Sequence, residues 1–187
     1  MAAQSNDVRK PLLSLVLFKI DNDEYAVNVH EVLEVIKSPE IINIPNSPQY
    51  VSGFLNLRGN VLSVIDLEKK FGLTRTYDSD KPRMVIIVDG VEFPFGVMVD
   101  EVSEVIRVTD DAMQKPPDTI KSKIGENYVV GVVLIQEESA GETGIDNEKE
   151  ITTLLSDENK KAVLLVSLKE IMVRIPEQQG NKKAKNE

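Results

Sequence analysis

The stretch VNVHEVLEVIK, residues 27–37, recurs seventy residues later as VMVDEVSEVIR, residues 97–107. Seven of the eleven aligned positions are identical, and Lys37 is exchanged for Arg107 at an eighth. A phrase this long, written twice in 187 residues, says that the chain builds one unit two times. The neighbouring sequence extends the repeat. Each half reads as strand, turn, strand, helical turn, Pro-rich irregular segment, strand with a glycine, turn, strand, short helix.

In the first half, SLVLFKI (residues 14–20) and EYAVNV (24–29) form a hairpin around the polar turn DND. In HEVLEVIK the period changes: Val32, Val35 and Ile36 stand at i, i+3 and i+4, which predicts a short helical turn with Glu31 and Glu34 on its other side. YVSGFLNLRGNVLSVIDL (50–67) predicts a second hairpin that turns tightly through RGN. Gly53, inside its incoming strand, marks a bulge or a close backbone approach. LEKKFGL predicts a short helix ended by Gly72.

The order then repeats. RMVIIVDGVEFPFGVMV (83–99) predicts a hairpin around Asp89-Gly90, and DEVSEVIR a second helical turn. Residues 108–128 read as irregular. VVGVVLIQ (129–136) is a strand with Gly131 placed like Gly53, and KAVLLVSLKEIM (161–172) matches NVLSVIDLEKKF. Four or five short strands per half predict two small β-barrels, residues 14–80 and 81–175, with short helices. Sequence leaves open whether the halves exchange strands. They differ at the last turn: where the first half has RGN, the second has residues 137–160, with eight acidic and two basic residues. Self-repulsion predicts a solvated, mobile loop there, and residues 176–187 read as a disordered tail.

Composition narrows the chemistry. A net charge of −9 argues against nucleic-acid partners and anionic membrane surfaces. No apolar run approaches the roughly 18 residues of a membrane span, and the N-terminal residues have no signal-peptide layout, so a cytoplasmic location is expected. With no Cys and one His, thiol nucleophiles and multi-His metal sites are unavailable, and neither metal nor cofactor is expected.

Four groups are candidates for function. His30, with Asp100 at the equivalent position, reads as a surface or helix-entry residue. Glu31 and Glu34 recur as Glu101 and Glu104, which favours the polar side of an amphipathic turn over a catalytic pair. A small barrel enzyme using these carboxylates is the alternative of a different class. Arg58, at the hairpin tip, has no equivalent in the second half, so a barrel does not need it for its own sake. Its rigid fork of donors suits a partner's carboxylate or a neighbouring glutamate such as Glu34.

GFLNLRGNVLSVIDLEKKFGL, residues 53–73, resembles the signature of CheW-like domains, with matches at Gly53, Asn56, Leu57, Arg58, Gly59, Val61, Val64, Asp66, Leu67 and Phe71. Ser63 departs from the family's usual proline, and the 137–160 insert is longer than the family's usual turn. The resemblance extends from about Leu15 to Val173. It implies two SH3-like five-stranded barrels. It also implies a cytoplasmic, non-enzymatic chemotaxis adaptor that joins chemoreceptors to the histidine kinase CheA, or a similar adaptor of a pili or gliding system. By position in the motif, Val32, Glu34, Gly53, Asn56 and Arg58 would form or support a groove for the receptor's helical tip. The kinase's regulatory domain, which shares the fold, would pair barrel to barrel near Ile120 and Tyr128.

Overall fold

The computed structural model describes residues 12–74, 82–124, 128–136 and 160–172. The acidic insert, up to residue 159, and the tail lie outside the described residues. The strands are β1 (Leu12–Ile20), β2 (Asp23–Asn28), β3 (Val32–Lys37), β4 (Val51–Leu57), β5 (Asn60–Asp66), β6 (Met84–Val88), β7 (Phe95–Val99), β8 (Glu101–Thr109), β9 (Met113–Gln114), β10 (Val129–Gln136) and β11 (Lys160–Val166). Three short helices follow in chain order: α1 (Leu67–Lys70), α2 (Asp118–Ile124) and α3 (Lys169–Met172).

The strands form two sheets, and each draws on both halves of the repeat. One has the order β3-β6-β7-β5-β4, the other β8-β1-β2-β11-β10-β9. The chain therefore crosses between sheets twice, from β2 to β3 and from β7 to β8. These crossings are the two copies of the repeated phrase. Each crossing strand runs parallel to a strand that ends in a helix. β2 lies beside β11, which leads into α3, and β7 lies beside β5, which leads into α1.

Strands buried on both faces explain the near-continuous apolar runs. Along β1, Leu15 and Leu17 point into a small core with Ala26, Val133, Val163 and Leu165. Val16, Phe18 and Ile20 point the other way, into the largest core. β6 divides likewise. Val85 and Ile87 fill the first sheet's own core with Leu55, Leu62 and Val64. Ile86 and Val88 join the largest core, with Phe95, Val97 and Val99 of β7. Each curled sheet thus has its own interior, and a third core lies between the two. Phe18 stacks on Tyr25 at 5.7 Å between ring centroids, Tyr25 lies 6.0 Å from Phe71, and Phe71 lies 6.0 Å from Tyr128, a line of rings across the seam.

Three local expectations are corrected. HEVLEVIK makes only a single 3-10 turn, Val29–Glu31, before β3, and the second copy is strand from Glu101 onward. Asp89-Gly90 does not close a tight hairpin, because six residues separate Val88 from its β7 partner Phe95. Residues 108–124, read as irregular, hold β9 and α2.

Candidate functional site

The hairpin of β4 and β5 closes through two residues, Arg58 and Gly59, both in the left-handed region with φ of 52° and 91°. This geometry matches the right-handed twist of the strands, and Gly59 takes it freely. Arg58 does not: a non-glycine residue there is uncommon and costs about 1 kcal/mol. The Asn56 side chain fixes the turn, its Oδ1 accepting the Gly59 N–H at 2.8 Å.

The held Arg58 reaches across to β3, the far edge of the same sheet in hydrogen-bonding order. Its Nη2 donates to Glu34 Oε2 at 2.9 Å. The pair bridges the two edge strands of the curled sheet. Arg58 remains 77% exposed and Glu34 28%, so the remaining guanidinium donors face solvent beside a partly sheltered carboxylate.

Gly53 works from behind. Its φ is 141°, β4 is bulged beside it, and a Cβ there would lie 2.1 Å from the Ile42 carbonyl oxygen. The missing side chain lets Ile42 and Phe54 exchange two backbone hydrogen bonds at 2.8 and 2.9 Å. Val32 roots β3 by packing against the central core. Of the five residues singled out for the groove, Glu34 and Arg58 touch, Asn56 positions the turn, and Gly53 and Val32 hold the backbone around it.

The other candidates go to separate places. Glu31 does not join Glu34: its Oε2 accepts from Ser167 Oγ at 3.2 Å and from the Lys169 N–H at 3.0 Å, capping α3. Glu101 and Glu104 are exposed on β8, and His30 is exposed with its N–H held by Asn28 Oδ1. Among the described residues no group of three or more His, Asp or Glu is placed to hold a metal ion. Ile120 lies half-buried on α2. Tyr128 is also half-buried, its ring turned toward Phe71 and its carbonyl accepting the Ser167 N–H at 2.9 Å. Lys70 lies over the Tyr50 ring at 4.0 Å and near Tyr128 at 5.8 Å. Partial burial pushes its amine below the usual lysine range.

A second polar cluster lies away from the hairpin tip. Asp66, only 2% exposed, caps α1 through the Lys69 N–H and receives Arg83 Nη1 at 2.9 Å and Nη2 at 3.4 Å. Arg83 Nε makes an ion contact with Asp100 Oδ1 at 3.1 Å, and Asp100 Oδ2 accepts the Asp21 N–H at 2.7 Å. The chain of contacts runs from α1 beneath the first sheet to the β1–β2 turn of the second. Asp66 belongs to the matched signature and Asp100 to the repeated phrase, but no local pattern relates Arg83 to either.

The CheW-like domain model matches residues 14–175. The chain is 32% identical over 122 residues to "Chemotaxis protein CheW" of Treponema pallidum, covering 64% of this chain and 71% of that protein. It is 28% identical over 130 residues to the protein of that name from Helicobacter pylori, covering 70% and 78%. With that of Rhizobium meliloti it shares 33% over 123 residues, covering 65% and 77%. The crystal structure of scaffolding protein TtCheW from Thermoanaerobacter tengcongensis has the same tandem SH3-like fold, with a TM-score of 0.68 and 24% identity over 89% of this chain and 97% of that one. No helix among the described residues is long and apolar enough to cross a membrane. The duplicated barrel, the Arg58 hairpin and the matched relatives agree, and the chain belongs to the CheW-like domain family as a chemotaxis coupling adaptor.

Proposed function

We propose that this adaptor joins the cytoplasmic tip of a methyl-accepting chemoreceptor to the regulatory domain of the histidine kinase CheA, with the receptor tip seated at the Arg58–Glu34 edge. The observation that carries this reading is the Arg58–Glu34 pair itself. An arginine is kept in a left-handed turn that glycine or asparagine fits better, is oriented by Asn56, and is tied to the opposite edge strand while still exposed. Strain retained at an exposed charge points to use of that charge. A helical hairpin docking there meets donors with a defined direction, and Gly53 and Val32 keep the backbone beneath them fixed. In this reading the kinase domain contacts the chain at Ile120 and Tyr128. Signal passes only if these contacts differ in energy between kinase states.

The test is reconstitution of soluble receptor tips, kinase and this protein, read as kinase autophosphorylation. Wild type should stimulate the kinase, and Arg58→Glu should lose stimulation with an unchanged melting temperature. Full stimulation by Arg58→Glu would remove the site. Loss of stimulation in Ile120→Glu with receptor binding intact is the expected signature of the kinase face.

A further inference from the structure

Helix α1 carries two adjacent lysines in opposite surroundings. Lys69 is 57% exposed, and its amine pairs with Asp66 at 3.6 Å. Lys70 is partly buried and makes no ion pair with a described residue. Its amine is held by two rings instead, over Tyr50 at 4.0 Å from the centroid and near Tyr128 at 5.8 Å. The backbone around it is fixed. The Tyr50 carbonyl accepts the Asp66 N–H at 2.8 Å where α1 begins, and the Phe71 N–H donates to the Leu67 carbonyl at 2.9 Å where it ends. Tyr50 leads into β4 and Tyr128 into β10, so the amine lies between segments of the two sheets.

Ring faces attract an ammonium group but give it no carboxylate to pair with. Partial burial strips water from the charge, and this desolvation pushes the Lys70 amine below the usual lysine range. More of it is therefore neutral, with a free lone pair, than of an ordinary surface lysine. The Tyr50 hydroxyl is a second, independent observation. Its oxygen is buried and has no hydrogen-bond partner among the described residues. A buried hydroxyl left without an acceptor is costly. The ammonium above the same ring has donors and no acceptor, so it cannot take the hydroxyl proton. An amide on that nitrogen would bring a neutral, accepting carbonyl oxygen to the ring that bears the hydroxyl.

We propose that Lys70 is a site of acylation by a small activated acyl group, and that the Tyr50 hydroxyl receives the resulting amide. The donor is an acyl phosphate or an acyl thioester. The neutral Nζ attacks the acyl carbonyl carbon, and an N–C bond forms. The C–O bond to phosphate, or the C–S bond to the thiol, breaks, and the leaving group takes the electron pair as phosphate or thiolate. Nζ loses its extra proton to water. The product has no charge over the Tyr50 ring, and its carbonyl accepts from the Tyr50 O–H. The proposal is independent of where receptor and kinase bind.

The full chain is treated with acetyl phosphate and, separately, with acetyl-coenzyme A. Acetylation of each lysine is followed by mass spectrometry of its peptides, in buffer and in concentrated urea. In the folded chain Lys70 should acetylate several-fold faster than its neighbour Lys69, and urea should abolish the preference. A preference with one donor alone assigns the site to that donor's class. Lys70 modified no faster than Lys69 by either donor overturns the proposal. Acetyl-lysine is then installed at position 70 during translation, in wild type and in Tyr50→Phe, and urea midpoints are compared with the unmodified proteins. Tyr50→Phe removes only an oxygen that bonds to no described residue, so it should fold. Acetylation should shift the midpoint more favourably in wild type than in Tyr50→Phe, because only wild type has the hydroxyl to pair. The same shift in both backgrounds means that no such hydrogen bond forms, and leaves Lys70 a structural clamp between two rings.

Discussion

The two crossings from sheet to sheet are written with nearly the same residues and are held by different chemistry. At the first, Glu31 caps α3 directly, through Ser167 and Lys169. At the second, the equivalent Glu101 is exposed, and the preceding Asp100 reaches α1 through Arg83, which contacts both the cap Asp66 and Glu68 of the helix itself. Both crossings tie an acidic residue to the helix that follows the parallel neighbour of the crossing strand. The repeat therefore encodes a joint, held on one side by hydrogen bonds from a hydroxyl and a backbone N–H to Glu31 and on the other by an ionic cluster. The surroundings of the apolar positions diverge too. Val32 and Val35 pack on the central core and Ile36 lines the first barrel, whereas in the second copy Val105 is 61% exposed.

The largest effect expected from breaking this symmetry falls on the ionic joint. Arg83→Leu removes the guanidinium shared by Asp66 and Asp100 and leaves the almost fully buried Asp66 with the more distant Lys69 amine at 3.6 Å, at a cost of about 3–5 kcal/mol. Glu31→Ala removes one cap and two hydrogen bonds, at about 1–2 kcal/mol. Urea unfolding of both variants measures the difference. Equal costs would show that the two joints are energetically alike despite their chemistry.

The two glycine-bearing strands give the next comparison. Gly53→Ala places a Cβ against the Ile42 carbonyl at a φ only glycine adopts easily, and should cost about 2–4 kcal/mol. Gly131, its counterpart, would meet Met113 Cγ at 3.1 Å and the Gln114 carbonyl oxygen at 3.2 Å. The methionine can move, so Gly131→Ala should cost about 1 kcal/mol. A loss at Gly131 as large as at Gly53 would mean that the second bulge is equally committed to glycine.

Much of this was legible in the sequence, and the parts that were not have identifiable causes. The Arg58 turn, the Gly53 close approach and the Gly72 helix stop follow from residues with narrow backbone preferences, and each is found. The helical turn predicted for HEVLEVIK failed because β3 is bulged between Val32 and Glu34. A bulge adds one residue, so positions 32 and 35 return to the same face as they would on a helix. Position 36 then turns to the other core. Spacing alone does not separate a bulged strand buried on both sides from a helical turn. The Arg83 cluster joins residues far apart in sequence that no local pattern relates.

Tyr25 and Phe95 occupy equivalent places, two residues before the repeated phrase's first and second copies, and differ by one hydroxyl. Burial, then the nearby Asp23 charge, pushes the Tyr25 phenol up to about 12. Its folded value lies above its unfolded value of 10, so the associated stability is complete below pH 10 and is lost as pH rises through about 12. The full loss is about 3 kcal/mol. Lys70 acts in the opposite sense: its lowered value is a cost at neutral pH that is relieved as pH approaches the unfolded lysine value. Tyr25→Phe, which makes the first copy like the second, should leave stability at pH 7 within about 1 kcal/mol and flatten the decline above pH 10. An unchanged alkaline decline would assign it to other groups.

The smallest stability effect separates architecture from function most cleanly. The Arg58–Glu34 pair is exposed, and such pairs contribute about 0–1 kcal/mol. Against that stands the left-handed backbone of Arg58, which glycine adopts without cost. Arg58→Gly therefore removes a weak ion pair and about 1 kcal/mol of strain together, so its stability should match wild type or exceed it by up to about 1 kcal/mol. Arg58→Ala keeps the strain and loses the pair, and should fall below both. The three proteins should rank Gly, Arg, Ala in urea midpoint, while receptor-dependent kinase stimulation survives only with arginine. A barrel that folds better without its arginine and couples worse would show that residue 58 is kept for the partner. If Arg58→Gly is instead clearly destabilised, the tie between β3 and β4 is holding the sheet, and the arginine belongs to the architecture that the second half achieves without one.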